Sequence, residues 1–223
     1  MAKIKRQYCP SGGWSCTYIK SLFESFNSDR ISVEVSANNR TATVHIDDDK
    51  FAIEFYMRDA VNSDWLNVYV HVGSSRSGNL FDGCKGADTH ITVSIGNNFV
   101  YVAVKDNWGR RCMFYCSNID NETYYTYTGN GSSQSIAFYN MTGRSLTRLS
   151  DGVTFSYGAM LNYAREVGKI DYSNGASLFS GSAKTDINDT DLVYCSTVTV
   201  DAIYTFEDSN YYAFGTNVLI PID

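Results

Sequence analysis

From residue 31 onward the apolar residues fall at every second position: Ile31, Val33 and Val35 alternate with Ser32 and Glu34. A period of two marks a strand with one buried face, because successive side chains point to opposite sides of a sheet. Asn38-Asn39 supplies a turn, and residues 41–46 form the return strand. Asp47-Asp48-Asp49-Lys50, expected as an exposed acidic turn, then leads into Phe51, Ile53, Phe55 and Met57. The pattern recurs at Leu66, Val68, Val70 and Val72, and again at Ile91, Val93 and Ile95 and at Val100, Val102 and Val104, with Gly96-Asn97-Asn98 between the last two. Further strands are expected at 111–116, 122–127 and 135–139, so that about eight precede residue 142. A chain patterned in this way is predicted to be mainly β, an antiparallel β-sandwich or meander.

Three segments depart from the pattern. Trp14, Tyr18, Ile19, Leu22, Phe23 and Phe26 recur at helical spacing, with Ser11 or Ser15 as the cap, which predicts a short N-terminal helix. Residues 73–86 are rich in Ser and Gly and read as a long loop. After Met141-Thr142-Gly143 the strict alternation is interrupted by Leu146, Leu149, Met160, Leu161 and Ala164, and a helix over 157–167 ending at Gly168 is expected. Strands return at 192–200, 202–206 and 211–220. The expected organisation is therefore an N-terminal helix plus antiparallel β domain over 1–142, with a smaller, mixed but β-rich part over 143–223 packed against it.

Charge and composition narrow the classes of function. Lys and Arg number 18 against 24 Asp and Glu, for a formal charge of -6, which disfavours nucleic acid and anionic membranes as partners. No apolar run approaches the ~20 residues that span a bilayer as a helix. Met1-Ala2-Lys3-Ile4-Lys5-Arg6 is basic but lacks a following apolar stretch, so synthesis in a cytosol is expected. The cysteines Cys9, Cys16, Cys84, Cys112, Cys116 and Cys195 are then expected as reduced thiols. Cys112 and Cys116, four apart on a strand, have Cα atoms roughly 13 Å apart at ~3.3 Å per residue, too far to bond to each other. The sequons at Asn39, Asn121, Asn130, Asn140 and Asn188 follow from an Asn/Ser/Thr-rich composition.

Several constellations carry possible chemistry. His45, His71 and His90 fall on predicted strands opposite the aliphatic face. Three imidazoles on neighbouring strands could meet at a zinc ion, but no two share a ligand spacing, and half-exposed strand histidines are the expectation. Asp47-Asp48-Asp49 and the group Asp186, Asn188, Asp189 and Asp191 lack the glycine and distal glutamate of a calcium loop and read as solvated turn acids. Cys112 and Cys116, on one strand face with Phe114, make no knuckle with Cys84 or Cys195 and read as buried thiols. There is no nucleophile elbow and no phosphate loop, so no catalytic residue, cofactor or metal is predicted. The 17 tyrosines suit contact surfaces, and Tyr124, Tyr125 and Tyr127 beside Asn130-Gly131-Ser132-Ser133 are the candidate partner or ligand surface. Alternation places Tyr125 and Tyr127 on one face and Tyr124 on the other.

The chain resembles the structural proteins of tailed bacteriophages and prophages, in the start Met1-Ala2-Lys3, in Gly96-Asn97-Asn98-Phe99-Val100-Tyr101 and in the closing Tyr211-Tyr212-Ala213-Phe214-Gly215-Thr216-Asn217. That resemblance implies a non-enzymatic virion component of tail, baseplate or fibre, made in the bacterial host cytoplasm. Its implied partners are copies of itself, other virion proteins and a host surface glycan. A head decoration protein is the nearest variant. A carbohydrate-binding module that stacks tyrosines on sugar rings is the alternative from another class.

Overall fold

The computed structural model describes residues 3–84, 86, 88–108, 110–119, 121–129 and 145–156, and the strand segments 170–171, 175–177, 193–194, 203–206, 209–215 and 218–221. The protein is mainly β, with one short helix near the N-terminus among the described residues. Strand β1 (Lys3–Tyr8) precedes helix α1 (Cys16–Glu24), followed by β2 (Ile31–Val35), β3 (Thr41–Ile46), β4 (Phe51–Met57), β5 (Trp65–Val72), β6 (Ser75–Arg76) and β7 (Phe81–Cys84). Then come β8 (His90–Ile95), β9 (Phe99–Lys105), β10 (Arg111–Ile119), β11 (Glu122–Gly129), β12 (Ser145–Arg148) and β13 (Thr154–Ser156). The remaining strands are β14 (Ile170–Asp171), β15 (Gly175–Ser177), β16 (Val193–Tyr194), β17 (Ile203–Phe206), β18 (Ser209–Gly215) and β19 (Val218–Pro221).

Two antiparallel sheets face each other. One runs β2-β3-β4-β5-β6, with β7 also paired to β5; the other runs β1-β8-β9-β10-β11-β12-β13. The period-two residues do what the pattern requires: Val44, Ile46, Phe51, Ile53, Phe55, Leu66, Val68 and Val70 from the first sheet meet Ile91, Val93, Val100, Val102, Phe114 and Cys116 from the second in one core. Phe51 stands at the junction, its ring 5.3 Å from those of Phe114 and Tyr125. The described strands of the C-terminal part form a separate sheet, β14-β15-β16-β19-β18-β17.

Helix α1 begins where Ser15 accepts the Tyr18 amide, and it buries Cys16, Ile19, Leu22 and Phe23. Phe23 packs on Phe55, 5.7 Å between centroids, so the helix lies on the inner face of the first sheet. Its other flank meets β1, where Tyr18 Oη donates to the Tyr8 carbonyl at 3.2 Å and Lys5 Nζ donates to the Ser25 carbonyl at 2.7 Å. The helix thus completes the layer that β1 ends.

Several expectations are corrected. Residues 3–8 form a strand, although their basic composition gave no alternation; pairing with β8 along its whole length supplies the order. The supposed loop at 73–86 contains β6 and β7, both held by backbone pairing to β5. Gly83 belongs there because a Cβ would lie 2.3 Å from Phe81 Cζ, so the ring folds over the position a side chain would take. The expected single strand over 211–220 is two, β18 and β19, with an irregular register between Ala213 and Gly215. β12 and β13, beyond residue 143, extend the second sheet, so the change in composition there does not coincide with the end of that sheet. The strand expected at 135–139 and the helix expected at 157–167 lie outside the described residues.

The second sheet also departs from simple amphipathicity. All six residues of β8 are buried, as are the first six of β9. Its face away from the core carries Thr92, Ser94, Tyr101, Met113, Tyr115 and Tyr124, each at most 3 % exposed. The second sheet therefore buries hydroxyl-bearing and aromatic side chains on this face as well as apolar ones on the core side.

Candidate functional site

The predicted tyrosine surface divides. Tyr124 is fully buried on the face away from the core. Tyr125 and Tyr127 lie on the core-facing side, opposite Cys116 and Phe114 of β10, and stack on each other at 6.4 Å with planes 15° apart. Tyr125 seals the margin of the core against Phe51, and burial together with the neighbouring Tyr127 raises its phenol above the ordinary value. Tyr127 remains 37 % exposed and is the member of the group open to a ligand.

The histidines do not converge. His45 and His71 both lie opposite Ala52, one on each side, so they share an outer face of the first sheet but are separated by two strand spacings, roughly 10 Å at ~4.8 Å each. Each ring is engaged by its own carboxylate, His45 by Asp49 and His71 by Glu54. His90 stands in the other sheet and is 5 % exposed, a correction to its expected half-exposure, with Nδ1 2.8 Å from the Asp88 carbonyl and the ring 5.1 Å from Tyr8. Among the described residues no group of metal-ligating side chains gathers.

The outer face of the first sheet is a network of paired charges. His71 Nε2 lies 2.9 Å from Glu54, which also receives Arg76 at 2.8 and 3.1 Å, while the Arg76 guanidinium stacks 3.6 Å above the Tyr69 ring. Burial pushes the Glu54 carboxyl up, but the hydrogen bonds from Arg76 and His71 outweigh it and hold the group below the ordinary carboxylate value. His45 pairs with Asp49 at 2.6 Å and approaches Glu34 at 3.6 Å. Each of these groups thus has a partner of opposite charge on the neighbouring strand or at the adjoining turn.

The acidic turn is exposed at Asp48, Asp49 and Lys50, as expected, but not at Asp47. Asp47, Asp48 and Asp49 all adopt positive φ, between 52° and 65°, a region that Asp tolerates better than bulkier residues. Asp47 turns inward to meet Arg30 in a bidentate pair at 2.8 and 2.7 Å, its side chain 8 % exposed. Arg30 also donates to the carbonyls of Gly96 and Asn97, and Asn118 donates to Asp47, so this clasp joins the first sheet to the hairpin ends of the second. With its oxygens committed, Asp47 is not the calcium ligand that the sequence allowed. The other acidic group, 186–191, lies outside the described residues.

Cys112 and Cys116 point into the core with Phe114, as the alternation predicts. Burial raises both thiols, Cys116 to about 12, so neither forms a thiolate at neutral pH. The side chains of Cys84 and Cys195 fall outside the described residues.

One side-chain cluster had no counterpart in the sequence reading. In the β9–β10 connection, Asp106 accepts the Trp108 and Arg110 amides at 2.9 Å each and pairs with Arg110 Nε at 2.5 Å, buried on both sides. Arg110 also donates to the Asp82 carbonyl at 2.7 Å, and its guanidinium lies 4.7 Å from the Trp108 ring and 5.8 Å from that of Trp65. Trp65 donates from its indole to Asp82. This cation between two indoles holds Trp108 outward, 54 % exposed, at a loop tip. An Asp, a Trp and an Arg at alternate positions between two strands is the signal that could have disclosed it.

No described helix is long and apolar enough to cross a membrane. Compared with protein-family models, with curated proteins and with solved structures, the chain matches none of them.

Proposed function

We propose that the chain is a non-enzymatic structural component of a phage virion, in tail, baseplate or fibre, with head decoration as the nearest variant. Its partners on this reading are copies of itself and other virion proteins, and the particle is where it acts. The observation that carries the reading is the arrangement of ionisable groups: on the outer face of the first sheet Glu54, His71, Arg76, His45 and Asp49 are spent on one another. A broad face of paired polar groups suits repeated protein contacts, where charge complementarity sets register and specificity. The test is co-purification. Mass spectrometry of density-purified particles, with negative-stain microscopy and size-exclusion chromatography of the isolated protein, should find it stoichiometric in particles and self-associating. A strict monomer that no particle contains removes the proposal.

A second reading, carbohydrate binding, is favoured by one specific feature: Trp108 and Tyr127 present aromatic faces to solvent, Trp108 beside a guanidinium. Aromatic faces of this kind stack on sugar rings and also serve as protein hot spots. Glycan-array binding lost in Trp108→Ala or Tyr127→Ala would establish it, and an array without signal would exclude it.

A further inference from the structure

Among the described strands, the edges of the two facing sheets are flanked or shorter than five residues in every case but one. β1 lies against α1 through Tyr18 and Lys5, while β6, β13 and β7 have two, three and four residues, and the Asp82 carbonyl of β7 accepts Arg110. β2 is a five-residue edge, Ile31–Val35, without the lysine or proline that commonly protects such edges. Its hydrogen-bonding direction is fixed by the neighbouring ladder. The Asp47 amide donates to the Arg30 carbonyl and the Ser36 amide to the Thr41 carbonyl, so by antiparallel alternation Ser32 and Glu34 bond to β3. Val33 and Val35 then turn both backbone N–H and C=O outward, and no described residue receives them.

Beside this edge, between it and the C-terminal end of α1, runs an open groove of about 480 Å³ with Phe23, Ile31 and Val33 along its apolar side and Glu24 and Asp29 on its rim. Glu34, its side chain 77 % exposed, adds a third carboxylate on the outer side of the edge. The basic groups nearby are largely occupied: Lys20 pairs with Glu24 at 3.6 Å, Arg30 is held in the Asp47 clasp and Lys5 is bound to Ser25.

We propose that β2 and this groove form a strand-addition site for an extended segment of a partner protein, with apolar residues alternating with basic ones. The main chain of the segment would bond to Val33 and Val35, its inward apolar side chains would enter the groove over Phe23, and its outward Lys or Arg would answer Asp29 and Glu34. Backbone bonds give such a site its affinity and the alternate pockets its specificity. The acidic rim argues against a second copy as occupant, because it would meet its own charge. The inference rests on edge geometry and not on the particle reading, so peptide capture by a chain that enters no particle would keep the one and discard the other.

The test is fluorescence anisotropy of the full chain with a labelled, capped peptide of alternating lysine and valine. Binding is expected with a dissociation constant below about 100 μM. Val33→Pro removes the outward donor while leaving the β3 ladder intact, and should weaken binding by at least about tenfold, as should Glu34→Lys. The same peptide N-methylated at alternate residues tests the backbone bonds with the protein untouched, and should not bind in the frame that blocks the edge. Equal binding of an alternating glutamate-valine peptide, or indifference to N-methylation in both frames, overturns the proposal. A dimer of the unaltered chain that Val33→Pro dissolves overturns the choice of occupant.

Discussion

At the scale of single residues, the informative groups are charges removed from water. Arg30 and Asp47 form a nearly buried bidentate pair with further bonds to Gly96, Asn97 and Asn118, so removing one partner leaves the other desolvated. Arg30→Met should cost about 3 kcal/mol in urea unfolding, and Arg30→Met with Asp47→Asn should cost less than the sum of the single changes. Asparagine is the substitution of choice because the site has φ of 52°. Glu54 gives the pH dependence. Its carboxyl is held below the ordinary value, so its contribution is present above the unfolded-state pKa near ~4.3 and is lost as pH falls through the lower folded value. Glu54→Gln should flatten the acid limb of the stability profile and, since Arg76 is half in solvent, change neutral stability by about 1 kcal/mol or less.

At the scale of elements, a short helix is placed by what flanks it. Ser15 was one of two caps the spacing allowed, and it is the one used. Ahead of it, Gly13 has φ of 100°, and a Cβ there would lie 2.5 Å from the Ser63 carbonyl. That close approach lets Trp14 exchange two backbone bonds with Ser63, both 2.8 Å, tying the start of α1 to the segment before β5. Gly13→Ala should therefore destabilise by more than about 1 kcal/mol, whereas Ser15→Ala should cost about 0.5–1 kcal/mol, both read from urea midpoints. The helix was legible from its apolar spacing, and the bridge was not, since Gly13 and Ser63 are joined only by the folded path of the chain.

At the scale of the whole molecule, the two sheets and α1 share one core, with Phe51 as its junction. Phe51→Ala should cost about 3–5 kcal/mol, with far- and near-UV circular dichroism falling together if the sandwich unfolds as a unit. A loss confined to the near-UV signal would mean that the sheets part before they melt. The open edge at β2 and the outward Trp108 are properties of this scale, because which strand ends a sheet and which loop tip projects depend on strand order.

Local sequence determined the elements. Period-two runs set β2 to β5 and β8 to β11, helical spacing set α1, and both the inward thiols of Cys112 and Cys116 and the split of Tyr124 from Tyr125 and Tyr127 followed from alternation. These are effects of neighbours along the chain, and a side chain's direction on a strand is fixed by its position. Tertiary structure alone decided that His90 is buried while His45 and His71 stand two strand spacings apart, that Asp47 faces Arg30, that β7 is a strand despite its glycine, and that β2 is left with an open edge. Each depends on pairing between residues distant in sequence, and backbone hydrogen bonds, which carry that pairing, leave little trace in side-chain pattern.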